Sequence, residues 1–311
     1  MSGPAAGRWK LAAVVLLALL LHAPSLRWGF FADDYGQQIV LRGLAEHPTM
    51  RPWSLYDFGS LASMAELQAE TGALPFWTSP AWSVRFFRPI ASSSLALDHA
   101  LFGGWAPGYH LSGLVLFALL LAAAHALYRA LDLPPRAALL AVAVLGLEDG
   151  TVLPVGWPAN RNGLVEALFT TLALLVLVRG ARAGRRASVG AALALAAAAV
   201  LAKESGLGAL ALAGFFLLRP PAGAGEGLSR RVRAGSAAAA GLLAGAYLAF
   251  FLAAGYGAAS VFYPLPWSAP LAFAGRLAVL GPVGAAAMLT PIPSDLFVLY
   301  PAFAGPAAFA A

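Results

Sequence analysis

Residues 109–128 read YHLSGLVLFALLLAAAHALY, without one Asp, Glu, Lys or Arg. A helix of about 20 such residues rises about 30 Å, the thickness of a bilayer's hydrocarbon core. The stretch predicts a transmembrane helix, and apolar runs like it recur on both sides. Of the 311 residues, 60% are hydrophobic and 11% charged, with a mean hydropathy of +0.76. Soluble domains carry about a quarter charged residues, which excludes an ordinary soluble globular domain here.

Working outward, spans are expected near 10–26, 109–128, 136–147, 163–178, 188–202, 205–218, 236–255 and 270–289. Another begins near Leu296 and stays apolar to the last residue, without a charged stop. The expected fold is an all-α polytopic membrane protein with about eight or nine transmembrane helices. It is a single membrane domain over 1–311, and the apolar ending predicts a piece of something longer. Arg8 and Lys10 ahead of an apolar run resemble a signal peptide, but no good small-x-small cleavage site follows, so the segment reads as an uncleaved first helix.

Arginine placement orients the spans. Arg8/Lys10, Arg129/Arg136, Arg179/Arg182/Arg185/Arg186 and Arg219/Arg230/Arg231/Arg233 fall at alternate ends of successive helices, so the positive-inside rule makes all four clusters cytoplasmic. The net charge of +6 is therefore a topology signal, and no nucleic-acid partner is expected. Cysteine is absent, which excludes disulfides and thiolate metal sites. The long segment 27–108 then lies outside the cytoplasm and holds seven of the 14 acidic residues. Within it, 61–72 and 89–102 fit short amphipathic helices on the membrane surface. The alanine-rich runs 191–200 and 237–246 suit close helix packing in lipid.

Four clusters on that outer side carry candidate chemistry. Phe30-Phe31-Ala32-Asp33-Asp34-Tyr35 places two carboxylates at the membrane surface. Mutual repulsion and desolvation raise one pKa and create a general base, or the pair holds a divalent cation; a solvated helix end is the plain alternative. Arg88, ahead of Pro89 at a helix start, suits a phosphate, as does His110 at the mouth of the second long helix; both also suit an interfacial role. The segment from Glu148 to Asn162 packs two acids, Trp157, two amides and Arg161 into a short loop. Lys203-Glu204 sits between two apolar helices, where ionisable residues are functional by default unless they snorkel to the surface. The helix centres are almost purely Leu, Ala and Val, which favours a site at headgroup level over a translocation path.

Together these segments resemble the GT-C superfamily of membrane glycosyltransferases, particularly bacterial relatives of the protein O-mannosyltransferase and dolichyl-phosphate-mannose families. The resembling elements are Phe31-Ala32-Asp33-Asp34, Phe87-Arg88-Pro89, Gly108-Tyr109-His110-Leu111, Pro154 to Asn162 including Trp157, and Ala202-Lys203-Glu204-Ser205-Gly206, in order over roughly 10–210. The family continues through more helices than this chain provides. The resemblance implies transfer of a sugar, usually with inversion, from a polyprenyl-phosphate donor to an extracytoplasmic protein, lipid or glycan acceptor. Carried onto this chain, Asp33, ahead of Asp34, is the general base. Arg161 and Lys203, supported by Arg88 and His110, neutralise the leaving phosphate, with Trp157 and Glu204 also binding substrate. A divalent cation is allowed but not demanded. The Ala/Gly/Arg-rich composition points to a bacterial inner membrane, with the site facing the periplasm or exterior. The alternatives are a transporter or flippase of lipid-linked saccharide, and a non-catalytic membrane scaffold.

Overall fold

A computed structural model describes residues 4–72, 74, 78–221, 227–259 and 270–289. The chain is mostly helical. α1 (Pro4–His22) runs into a 3₁₀ turn at Ala23–Arg27, and the extramembrane segment follows with α2 (Asp33–Leu41), α3 (Ala65–Thr71) and α4 (Pro89–Phe102). The bundle continues through α5 (Ala106–Ala130), α6 (Pro135–Leu147), α7 (Val152–Gly156), α8 (Arg161–Arg182), α9 (Arg186–Ala202), α10 (Leu207–Leu218), α11 (Arg230–Ala253) and α12 (Pro270–Leu289).

Among the described residues four helices are long and apolar enough to cross a membrane: Gly7–Arg27, Ala106–Ala130, Pro158–Arg182 and Arg230–Ala253. A fifth is reached if α6 and the following Asp149–Gly156 form one span broken by a 59° bend. The chain leaves the helical path at Glu148, whose ψ of 138° is extended. The expected count of eight or nine is therefore larger than these helices support. α9 and α10 form where expected but have 17 and 12 residues. Twelve residues rise only about 18 Å, short of the hydrocarbon thickness. The last expected span, from Leu296, lies outside the described residues.

Several packed regions hold the bundle. Ala18, Phe117, Leu121, Val142 and Leu164 form a core among α1, α5, α6 and α8. Ala173, Ala196, Ala199, Val200, Ala209, Leu210 and Ala240 form another among α8 to α11, and small side chains there let the backbones approach closely. Gly206 marks that proximity: a Cβ on it would lie 2.3 Å from the carbonyl carbon of Ala199.

The all-α expectation needs one correction. β1 (Asp57–Ser60), β2 (Ser83–Arg85) and β3 (Gly257–Ala259) form a three-stranded antiparallel sheet in the order β1-β2-β3. Strands of three or four residues carry no readable alternation. Asp57 opposes Arg85 in the ladder and holds it in a bidentate pair, with Nε–Oδ1 and Nη2–Oδ2 both at 2.9 Å. Arg85 also donates to the Ala254 carbonyl and lies over the Tyr256 ring. The extramembrane segment is thereby fastened to the chain just after α11.

Candidate functional site

The acid pair opens α2, and the two carboxylates have different surroundings. Asp34 is buried and fully engaged: Oδ2 accepts the Phe31 N–H at 2.9 Å and Oδ1 accepts the Ala159 N–H at 2.7 Å. It thus ties the segment after α1 to the turn before α8. Burial pushes its carboxyl up to about 6, outweighing the two backbone donors that favour the charged form. Asp33 is exposed, and its carboxyl is raised by desolvation against its neighbours. The residue between the aromatic pair and the acids, Ala32, has φ 45° and ψ −114°, a conformation costing a side-chain-bearing residue about 1–3 kcal/mol. The strain turns the chain so that Asp34 points inward while Asp33 stays at the rim. Trp157 closes this side, donating its indole N–H to the Phe31 carbonyl at 3.2 Å and meeting the Phe31 ring edge-on.

With both Asp34 oxygens taken by N–H groups, Asp33 is the one free carboxylate of the pair. Among the described residues no group of three His, Cys, Asp or Glu side chains forms a metal-binding cluster. One free carboxylate falls far short of the six to eight oxygen ligands of Ca²⁺, while Mg²⁺, commonly held through one or two carboxylates, would need waters and substrate phosphate oxygens to complete its shell. The residues present therefore do not fit a Ca²⁺ site built from protein ligands at Asp33 and Asp34.

Arg161 begins α8, and its guanidinium is committed inside the protein. It is 2% exposed, pairs through Nη1 with Asp98 Oδ2 and donates through Nη2 to the Tyr109 carbonyl. Ser112 completes the carboxylate's contacts by donating to Asp98 Oδ1 at 2.7 Å. An expected phosphate ligand is thus a buried strut joining α4, α5 and α8. Its partner Asp98 is absent from the sequence-derived site. The available signal is a carboxylate in the apolar run of α4, which demands a cation. His110, 1% exposed, sits beside this strut; backbone of Trp28, Gly29 and Gly156 surrounds its ring, and neither nitrogen has a well-formed hydrogen bond.

Arg88 and Glu204, 116 positions apart, form a bidentate pair with Nη2–Oε2 at 2.7 Å and Nε–Oε1 at 3.1 Å. Arg88 also lies over the Phe86 and Tyr56 rings at 4.1 and 5.3 Å. Lys203 is half-buried next to this pair. Burial, and then the nearby Arg88, lower its pKa, while Glu204 and Glu166 act against that shift. Glu166 is a carboxylate one turn inside α8, steadied by the Thr170 hydroxyl at 2.7 Å.

Tyr56 connects the two halves. It is buried, its hydroxyl faces the Asn162 side chain without a well-formed hydrogen bond, and Arg88, Arg161 and Asp34 all act on it electrostatically. Burial pushes its phenol up to about 12, so it stays protonated and able to donate. Tyr247, from α11, brings another buried hydroxyl without a hydrogen-bond partner within reach of the charges on Glu204 and Arg88. Neither tyrosine stands out in the sequence, because a tyrosine beside aromatic neighbours reads as interface packing. The acid pair, Trp157, His110, Arg161, Arg88, Lys203 and Glu204 thus gather at one end of the bundle, from segments far apart in the chain. Compared with family models, curated proteins and solved structures, the chain matches none.

Proposed function

We propose that this chain is a membrane glycosyltransferase that moves a sugar from a polyprenyl-phosphate donor to an acceptor hydroxyl. The observation that carries the reading is the convergence around Tyr56: a carboxylate pair on one side, and Arg88, Lys203 and Glu204 on the other, bridged by a phenol that can donate. Asp33 accepts the proton of the acceptor hydroxyl as its oxygen attacks the anomeric carbon. The bond from that carbon to the phosphate oxygen breaks, and the electron pair leaves with the polyprenyl phosphate. Lys203 and Arg88 face the charge that develops there, and such preorganised stabilisation is often the largest catalytic contribution. Attack from the face opposite the leaving group inverts the anomeric centre. Asp34, whose two oxygens accept backbone N–H groups, and Arg161, held inside the protein by Asp98 and the Tyr109 carbonyl, position the site.

Sugar transfer in membranes should fall by about 10²–10⁴ in Asp33→Asn, the usual range for removing a general base. Asp34→Asn should weaken transfer through loss of the outer turn, together with lowered thermal stability. Full transfer by both variants would remove the assigned base. Glu166, an ionisable side chain within a candidate span, is the observation that favours transport of a lipid-linked saccharide; flipping without any transfer, abolished by Glu166→Gln, would select that reading.

A further inference from the structure

We propose that Glu166 and Thr170 of α8 are positioning residues for Lys203: the Glu166 carboxylate draws the ammonium onto the α8 face, and the Thr170 hydroxyl keeps that carboxylate from capturing it. Lys203 is thereby left to meet the leaving phosphate. The inference deepens the glycosyltransferase reading and rests on it.

The cations of the site are not equivalent. Arg161 is taken by Asp98 and Arg88 by Glu204, whereas Lys203 has no carboxylate within ion-pair distance among the described residues. Its ammonium lies against the first turn of α8, since a Cβ on Gly163 would stand 3.5 Å from Nζ. Gly163, Glu166 and Thr170 follow one another at helical spacings of three and four, so they share one face. Glu166 lies inside the candidate span Pro158–Arg182, where a carboxylate without a cation is costly. The cation that feels its field is Lys203.

The surrounding charges make Glu166 decisive. Burial and Arg88 both oppose the charged ammonium, while Glu204 and Glu166 favour it. Glu204 is occupied: its two oxygens hold Arg88, and Tyr247 of α11 faces the same pair. The Arg88–Glu204 pair is close to neutral as a unit, which leaves Glu166 as the uncompensated support. A carboxylate too close, however, would take Lys203 as Glu204 takes Arg88. Thr170 prevents that by donating its hydroxyl to Glu166 Oε1 at 2.7 Å, which turns the carboxylate towards the next turn of α8. Helical side chains otherwise lean towards the N-terminus, and for Glu166 that direction is Gly163 and the ammonium.

The chain has two lysines, Lys10 and Lys203, so Lys10 serves as an internal standard. The test is amine acetylation of the purified chain over a series of pH values, read by mass spectrometry, beside donor KM and kcat for transfer. Glu166→Gln should let Lys203 lose its proton at lower pH, so that below its midpoint it acetylates about three- to tenfold faster than in the wild type. The alkaline limb of kcat should move to lower pH by the same shift. Thr170→Val should do the opposite: the released Glu166 pairs with Lys203, acetylation slows, and donor KM rises about tenfold with kcat less changed. Thr170→Ser keeps the hydroxyl and should match the wild type in both readouts. Residues with a purely structural role would change the melting temperature without moving Lys203 against Lys10. The inference is refuted if Glu166→Gln or Thr170→Val leaves the Lys203 profile unchanged, or if both move it the same way. Absence of transfer in the wild type, with both acetylation shifts present, would overturn the enzymatic reading and leave the Lys203–Glu166–Thr170 arrangement supported.

Discussion

At the scale of single residues, the buried Asp98–Arg161 pair and the Asp34 carboxylate dominate. Removing one partner of a buried ion pair costs about 3–5 kcal/mol, because the other charge is left without compensation. Asp98→Leu and Arg161→Met should each lower thermal stability in detergent by that order, and the double variant Asp98→Leu/Arg161→Met should recover much of the loss. Additive losses in this cycle would mean that the two groups do not act as a pair. Asp34 gives a pH signature. Its carboxyl sits at about 6 in the folded protein against an ordinary 3.8, so the folded state binds its proton more tightly than the unfolded one. Stability should therefore decline as pH rises from about 4 to about 6 and level off above. Asp34→Asn should remove that slope; identical pH profiles for the two proteins would contradict the assignment. The acid pair, Arg88 and Lys203 were legible in the sequence because charge amid apolar residues is conspicuous. That Asp34 is anchored and Asp33 free was not, since it depends on the Ala159 N–H, 125 positions away. The pairing of Arg161 was hidden for the same reason: a sequence shows the guanidinium but not the carboxylate that takes it.

At the scale of elements, hydrophobic runs placed the ends of the long helices to within six residues, and the alanine-rich run 191–200 packs as expected. Length limits the span count. α9 and α10 read as crossings by composition, but they have 17 and 12 residues, and the twelve of α10 rise only about 18 Å. α2 escaped notice because two acids and Gly36 in nine residues look like a loop. The junction before α10 offers a contrast between neighbouring glycines. A Cβ at Gly206 meets backbone atoms of Ala199 and Val200 within 2.3–2.5 Å, whereas Gly208 has nothing within 4 Å. Gly206→Ala should force α9 and α10 apart at a cost of about 1–3 kcal/mol. Gly208→Ala should gain up to about 1 kcal/mol from helix propensity. Thermal melts of the two variants read this directly, and equal behaviour would contradict the close approach at Gly206.

At the scale of the whole molecule, the polar residues gathered at one end and the arginines at the other imply a fixed orientation. The chain has no cysteine, so single cysteines can be introduced without background. Asp33→Cys and Lys203→Cys should react with an impermeant maleimide from the same side of sealed vesicles, and Arg185→Cys from the other. Labelling of Asp33 and Lys203 from opposite sides would dissolve the common site. Tyr56 and Tyr247, by contrast, acquire meaning only once distant segments meet, which no local pattern reports.

The short sheet also sets an order of assembly. Its first strand begins at Asp57 and its last at Gly257, so the final hydrogen-bonded edge is supplied 200 positions downstream. At translation rates of about 5–20 residues per second, the early segment waits roughly 10–40 s for that partner. During the wait β2 presents an unpaired edge, and Arg85 lacks the Ala254 carbonyl it finally grips. Completion of the segment that carries β1 and β2 is thus coupled to insertion of α11, and a ribosome stalled before Gly257 would leave an open strand exposed to chaperones and proteases.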